Sequence, residues 1–153
     1  MAGELGARIL RTRWLVRAPI ALFRAGLGFL FGGRLLLLEH VGRTSGEARY
    51  VVLEVLLRPS RDEVVIASGF GSASQWFRNL LAHPRCHVSI GTRRRVAATA
   101  TVAAGDDASR MLAAYRETHP KAWSMLDDAM SKLQGRRDYD LPLVRLALQP
   151  RRG

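Results

Sequence analysis

From Arg34 onward the chain alternates between short apolar runs and polar turns, and the length and period of each run predict its element. "RLLLLEH" (34–40) and "RYVVLEVLLR" (49–58) are Leu- and Val-rich runs parted by the polar turn "VGRTSGEA", the pattern of a hairpin or of two neighbouring strands. "DEVVIAS" (62–68) follows the Pro59-Ser60 turn as a third strand. "SASQWFRNLLAH" reads as a short helix stopped by Pro84. "CHVSIG" and "RRVAATATVA" form a second hairpin through Gly91-Thr92, with Val96, Ala98, Ala100 and Val102 on one face. Asp106 or Asp107 is placed to cap a helix carrying Met111, Leu112 and Tyr115, which Pro120 closes. A further helix is predicted over residues 121–134 and a last strand over 141–148. Five or six strands joined mainly by hairpins, with helices at the ends, predict an α+β fold on an antiparallel barrel. Alternating βαβ units are not the pattern.

The N-terminal stretch "WLVRAPIALFRAGLGFLFGG" has a different texture. Arg17 and Arg24 interrupt it and no small-residue cleavage site stands out, so neither a spanning helix nor a signal peptide is expected. On a helical wheel Arg13, Arg17 and Arg24 share one face, and Leu15, Leu22, Phe23, Leu27, Phe29 and Leu30 cover much of the rest. Pro19 is expected to kink this helix or to start a second one. Two readings stay open: a helix packed on its own domain, or a cationic amphipathic helix lying on an anionic membrane. The chain thus divides into an amphipathic segment, residues 1–31, and a barrel domain, residues 32–153.

Charge narrows the partners. Lys and Arg number 24 against 13 Asp and Glu, a formal charge of +11 on 153 residues, which implies an anionic partner: nucleic acid, a membrane surface, or a phosphorylated or carboxylated ligand. Nucleic acid is the weakest of these, because the aromatics do not interleave with the arginines as a stacking platform requires. Cys86 is the single cysteine, so no intrachain disulfide and no cysteine-based zinc site can form, which suits a reducing cytoplasm. His83, His87 and His119 show no metal-ligand spacing, and no metal is expected.

The stretch "VVIASGFGSASQWFRNL" (64–80) imitates a dinucleotide-binding turn through Gly69, Gly71 and Ser74. A dinucleotide fingerprint also needs a βαβ unit and an acidic residue about 20 positions on, and here the helix runs into a hairpin without one. At the rim of a barrel the same glycines let backbone approach a flat ring, with Trp76 and Asn79 adding a stacking face and an amide. Trp76, Phe77 and Leu80 also fit simple core packing. A second constellation is "GRTSGEAR" (42–49), where Arg43 and Arg49 bracket Thr44, Ser45 and Gly46. Two guanidinium groups, hydroxyls and free N–H groups can grip a phosphate, although a solvated hairpin turn has the same composition. Glu39-His40 has acid–base potential, but strand neighbours face opposite sides. Arg93-Arg94-Arg95 reads as solvated or as an extension of an anion site.

Taken together, "GRTSGEAR", "VVIASGFG" followed by "QWFRNLLAHPRCHVSIG", and the closing "LPLVRL" resemble the actinobacterial deazaflavin-dependent nitroreductase family over residues 34–148. The resemblance implies a split β-barrel of the flavin-reductase or pyridoxamine-oxidase type, with peripheral helices, that uses the 8-hydroxy-5-deazaflavin coenzyme F420. Flavin mononucleotide on the same type of barrel is the alternative. It implies that Arg43, Thr44, Ser45, Gly46 and Arg49 hold the coenzyme's phosphate. Ser68, Gly69, Phe70 and Gly71 would lie against the ring, with Trp76 and Asn79 beside it. The implied activity is hydride transfer from the reduced coenzyme to an electron-poor small molecule such as a quinone, enone or nitro compound. Ser68 and His119 are the candidate proton donors. A cytoplasmic enzyme is expected, at the inner face of the membrane if residues 1–31 bind lipid, and a homodimer is compatible. The chain departs from the family at Thr44, where a basic residue is common, and at Glu39-His40, where threonines often stand. It also lacks tyrosines in "HPKAWSMLDDAM", so nitroreduction does not follow.

Overall fold

Strong β formers in short runs give six strands: β1 (Leu35–Val41), β2 (Ala48–Ser60), β3 (Glu63–Ala67), β4 (Arg85–Ile90), β5 (Arg93–Val102) and β6 (Leu143–Leu148). The computed structural model describes residues 19–68 and 71–150. All six strands pair antiparallel and close into a barrel in the order β1-β2-β3-β6-β5-β4. The β1–β2, β2–β3 and β4–β5 neighbours are hairpins. β6 enters between β3 and β5, and β4 returns to β1, so no edge is left open. Helices lie around this frame: α1, described over residues 19–24, then α2 (Gln75–Ala82), α3 (Gly105–Thr118) and α4 (Pro120–Gln134).

Alternation along the strands builds the interior. In β4, Cys86, Val88 and Ile90 point in while His87 and Ser89 stay half-buried. Leu36, Leu38, Val64, Ile66, Val144, Leu146 and Leu148 complete the barrel core, and Trp76, Phe77 and Leu80 of α2 pack into the same cluster. Burying each such Leu, Ile or Phe contributes about 1.5–3 kcal/mol. Sulfur sits in this core too: burial pushes the Cys86 thiol up to about 12.

The outer face carries its own packing. Leu37 is buried although it points away from the barrel axis, and it shares a small cavity with the buried Phe23 of α1. The Arg24 guanidinium lies 4.8 Å over the Tyr50 ring. The described part of the N-terminal segment therefore packs on the barrel with one face. The other leaves Leu27, Phe29 and Leu30 exposed, at 39%, 50% and 64%. Arg13 and Arg17 of the predicted basic stripe lie outside the described residues.

Two local expectations are corrected. Asp106 and Asp107 do not cap α3: Ala104 holds that position without a side-chain bond, and both carboxylates sit in the first turn, where they face the positive end of the helix dipole. Val102 is exposed, so the inward face of β5 ends at Ala100. Pro120 does close α3, and it also opens α4, because the ring's fixed φ suits a first helical turn; His119 is the residue between. Among the described residues no helix is long and apolar enough to cross a membrane.

Candidate active site

Chemistry concentrates where the β1–β2 turn meets α2. The turn is closed by Gly46 N–H donating to Gly42 O and Gly42 N–H donating to Glu47 O, both at 2.8 Å. Gly46 adopts φ +72°, a left-handed conformation that glycine reaches without strain. A Cβ at Gly42 would sit 2.5 Å from Ser45 Oγ, which accepts the Glu47 N–H at 3.2 Å, so a side chain there would displace that hydroxyl.

α2 pins this turn from the side. Gln75 and Asn79 are one helical turn apart and share a face. Asn79 Oδ1 accepts both the Arg43 backbone N–H at 3.1 Å and Arg43 Nη1 at 2.8 Å, while Gln75 Oε1 accepts Arg43 Nη2 at 2.9 Å. Behind them, Asn79 Nδ2 lies 3.0 Å from His40 Nδ1 at the end of β1, in a buried contact. Arg49, the register partner of His40 on β2, makes among the described residues only a 3.7 Å pair with the exposed Glu47, a contact worth little.

The result is a cleft of about 800 Å³, within the range of small-molecule sites. His40, Trp76 and Asn79 line it from the barrel and α2; Arg43, Ser45 and Arg49 line it from the hairpin. A guanidinium has five N–H donors, and Arg43 spends two on Gln75 and Asn79. Arg43 and Arg49 are both exposed, and the Thr44 and Ser45 hydroxyls stand between them. This donor set, all positive or neutral, fits a phosphate. A second cavity of about 420 Å³ between α3, α4 and β2 is lined by Val55, Leu56, Tyr115, Met125 and Leu126, and among the described residues Glu54 is its one charged side chain. It lacks converging donors for an anion.

Sequence-predicted residues divide cleanly. Arg43, Thr44, Ser45, Arg49, Trp76 and Asn79 all line the cleft, and Gly46 shapes its turn. Ser68 and Gly71 do not line it. Ser68 is fully buried, donating to Gly71 O at 2.6 Å with Ser74 Oγ 2.7 Å away. Gly71, at φ +65°, would place a Cβ 2.8 Å from Asp140 Oδ2, the oxygen that accepts the Ser72 N–H and hydroxyl. That carboxylate and the positive φ leave little room for a side chain at Gly71. Gly69 and Phe70 lie outside the described residues. His119 stacks near Tyr115 at the α3–α4 break, with ring centroids 5.4 Å apart, and does not reach the cleft.

Glu39 and His40 face opposite ways, as strand alternation requires. Glu39 points outward and takes Arg95 Nε and Nη2 at 3.2 and 3.0 Å, with His87 Nδ1 at 3.1 Å. Burial alone would raise its pKa, but the Arg95 bonds and charge outweigh that and hold it below the ordinary carboxylate value. A bulge in the β4–β5 hairpin makes this reach possible: Arg95 sits at φ +44° with its N–H on Ser89 Oγ. Arg93 is buried and ties Arg61 O, Asp62 Oδ1 and Gln149 O together. The arginine triplet is thus neither plainly solvated nor part of the cleft. Among the described residues no group of His, Cys, Asp and Glu could hold a metal ion.

Gln75 and the Asn79 contact of His40 emerge from the structure. Their signals in the sequence are the Gln75–Asn79 spacing on a predicted helix and a histidine at a strand end near two arginines.

Comparison with known proteins bears on the whole arrangement. A family model described as F420H(2)-dependent quinone reductase matches residues 17–132. A Mycobacterium tuberculosis protein, Rv3178, named for the same activity, is 38% identical over 90 residues, covering 58% of this chain and 74% of that protein. Among solved structures, an F420-H2 dependent reductase, FDR-A, superposes with TM-score 0.53 at 19% identity, over 74% of this chain and 93% of its own. Another chain, described as a domain-swapped dimer, gives TM-score 0.57 at 18% identity, over 89% and 98%. At those identities the structural likeness shows the fold alone.

Proposed function

This chain belongs to the F420H(2)-dependent quinone reductase family, and on that premise we propose that the cleft between the β1–β2 turn and α2 holds its coenzyme by the phosphate and presents it to a quinone. The protein is an oxidoreductase whose cofactor is F420, so the family match decides against flavin mononucleotide. Reduced F420, when bound, supplies the hydride, and the chain's own residues bind, orient and exclude water.

One observation carries the reading. Arg43 is held by Asn79 and Gln75, with N–H donors left over. A preorganised guanidinium loses little conformational freedom on binding. Arg49 and the Thr44 and Ser45 hydroxyls complete a cradle for the phosphate, and Trp76 offers an apolar wall beside it. Stopped-flow oxidation of reduced coenzyme by a soluble quinone, followed by the return of the deazaflavin's visible absorbance, tests the acceptor. Rapid turnover with the quinone and none with nitroaromatics is the expected result; the reverse order would replace the quinone with a nitro compound.

A second reading concerns place. Leu27, Phe29 and Leu30 are exposed, Arg24 and Arg34 flank them in the sequence, and residues 1–18 carry further arginines. In this reading the segment dips into an anionic bilayer from the cytoplasmic side, bringing the cleft near lipid-soluble quinones. Replacing Leu27, Phe29 and Leu30 together by serine should abolish co-sedimentation with anionic liposomes while the melting temperature holds; undiminished sedimentation would refute it. A homodimer belongs to the same reading, with the neighbour described as a domain-swapped dimer in support. Sedimentation velocity checks it.

A further inference from the structure

His40 is 4% exposed, and its Nδ1 meets Asn79 Nδ2 at 3.0 Å. Which nitrogen of His40 carries hydrogen follows from the neighbouring bonds. Arg43 offers only donors, so the Asn79 atom it contacts twice must be the carbonyl oxygen. The atom facing His40 is then the amide nitrogen, which donates, and His40 Nδ1 must accept. A neutral imidazole accepting at Nδ1 carries its hydrogen on Nε2. Burial, with the Arg49 charge adding to it, pushes the His40 pKa down to about 4, so the ring is neutral near pH 7.

His40 Nε2 has no partner among the described residues. Nor is it sealed: of the buried side-chain nitrogens and oxygens described, only Arg93 Nε is both without solvent contact and without a partner. His40 lines the cleft, so its free donor opens there, next to Arg49 across the β1–β2 register.

Resting on the cofactor-cleft reading, we propose that His40 is a binding residue of that cleft, donating its Nε2–H to an acceptor oxygen of the coenzyme, with Asn79 and Arg43 as the positioning residues that fix its tautomer. The donor adds no charge beside two arginines, so it discriminates by hydrogen bonding.

The test uses the full chain. Nitrogen-15 NMR of the free protein, with the His40 signals identified by their loss in His40→Gln, should show the Nε2–H tautomer; an Nδ1–H tautomer overturns the proposal. Binding is then measured for coenzyme F420, its phosphate-free deazaflavin fragment and inorganic phosphate. His40→Phe should weaken the coenzyme about tenfold, as for one lost hydrogen bond. His40→Gln, whose amide can accept from Asn79 and donate onward, should restore affinity to within about threefold. If phosphate binding falls in parallel, the acceptor is a phosphate oxygen; if only the two deazaflavins are affected, it lies on the ring or its polyol chain. Wild-type affinity in His40→Phe overturns the proposal, and should that variant not fold, failure of the glutamine variant to bind the coenzyme better than His40→Ala does the same. Arg49→Ala separates the levels. If it weakens the coenzyme while His40→Phe does not, only the role of His40 falls; if neither matters, the cofactor-cleft reading falls with it.

Discussion

Asn79 Oδ1 accepts two hydrogen bonds from Arg43, one from its backbone and one from its guanidinium, across 36 residues of sequence. One side chain therefore fixes both where the hairpin turn sits and where its cationic group points. Replacing Asn79 by alanine removes those bonds and leaves His40 Nδ1 without its donor. Stability should fall by about 1–3 kcal/mol in chemical denaturation, and coenzyme affinity should fall with it. A loss of stability with unaltered affinity would show that the turn does not need the helix to bind.

Acid sensitivity should trace to His40. Its folded pKa, about 4, lies below the ordinary 6.5, so the unfolded chain binds the extra proton first. Stability contributed by the neutral ring is complete above pH 6.5 and is lost progressively as pH falls toward 4, by an amount on the order of 2 kcal/mol. Melting temperature measured over that window should drop in the wild type and drop less in His40→Phe. Identical slopes would assign the acid sensitivity to other groups.

Gly71→Ala is expected to destabilise the fold directly, by about 1–2 kcal/mol, because φ +65° strains a side chain there and its Cβ meets Asp140. This differs from a role in admitting a ring, under which turnover would fall and stability would not. Thermal melts of the single variant and of Gly71→Ala with Asp140→Ala distinguish them: the carboxylate account expects partial recovery in the double variant.

Arg93 holds the β2–β3 turn and the C-terminal strand end to β5 through three acceptors. Arg93→Met should cost about 2–4 kcal/mol, since Asp62 is left unpaired and two carbonyls lose their donor. Coenzyme affinity of the folded fraction should be unchanged, because Arg93 does not line the cleft.

What the sequence made legible follows from how far apart the cooperating residues lie. β1 and β4 announce themselves through local runs, and hairpin partners are adjacent in the chain. The insertion of β6 between β3 and β5 depends on pairings such as Ile66 with Val144, which no local pattern encodes. The motif resemblance points to Arg43, Ser45, Arg49, Trp76 and Asn79, which line the cleft. It does not point to Gln75 or to the Asn79 contact of His40, because those pairings exist only once β1 and α2 are brought together. A Ser-Gly-rich turn has the same composition whether it faces a ligand or an internal carboxylate, so the sequence does not disclose that Asp140, 68 residues from Ser72, accepts the Ser72 N–H.

Binding of the coenzyme by its phosphate in the cleft between the hairpin turn and α2 is measured by tryptophan fluorescence titration with F420, since Trp76 lines the cleft. Arg49→Ala is the cleanest variant, because among the described residues Arg49 makes no polar contact beyond a weak pair with Glu47. The account predicts saturable quenching in the wild type and an affinity weaker by about 1–3 kcal/mol, or roughly five- to 150-fold, in Arg49→Ala at an unchanged melting temperature. Equal affinity in Arg49→Ala and in Arg43→Ala would contradict it.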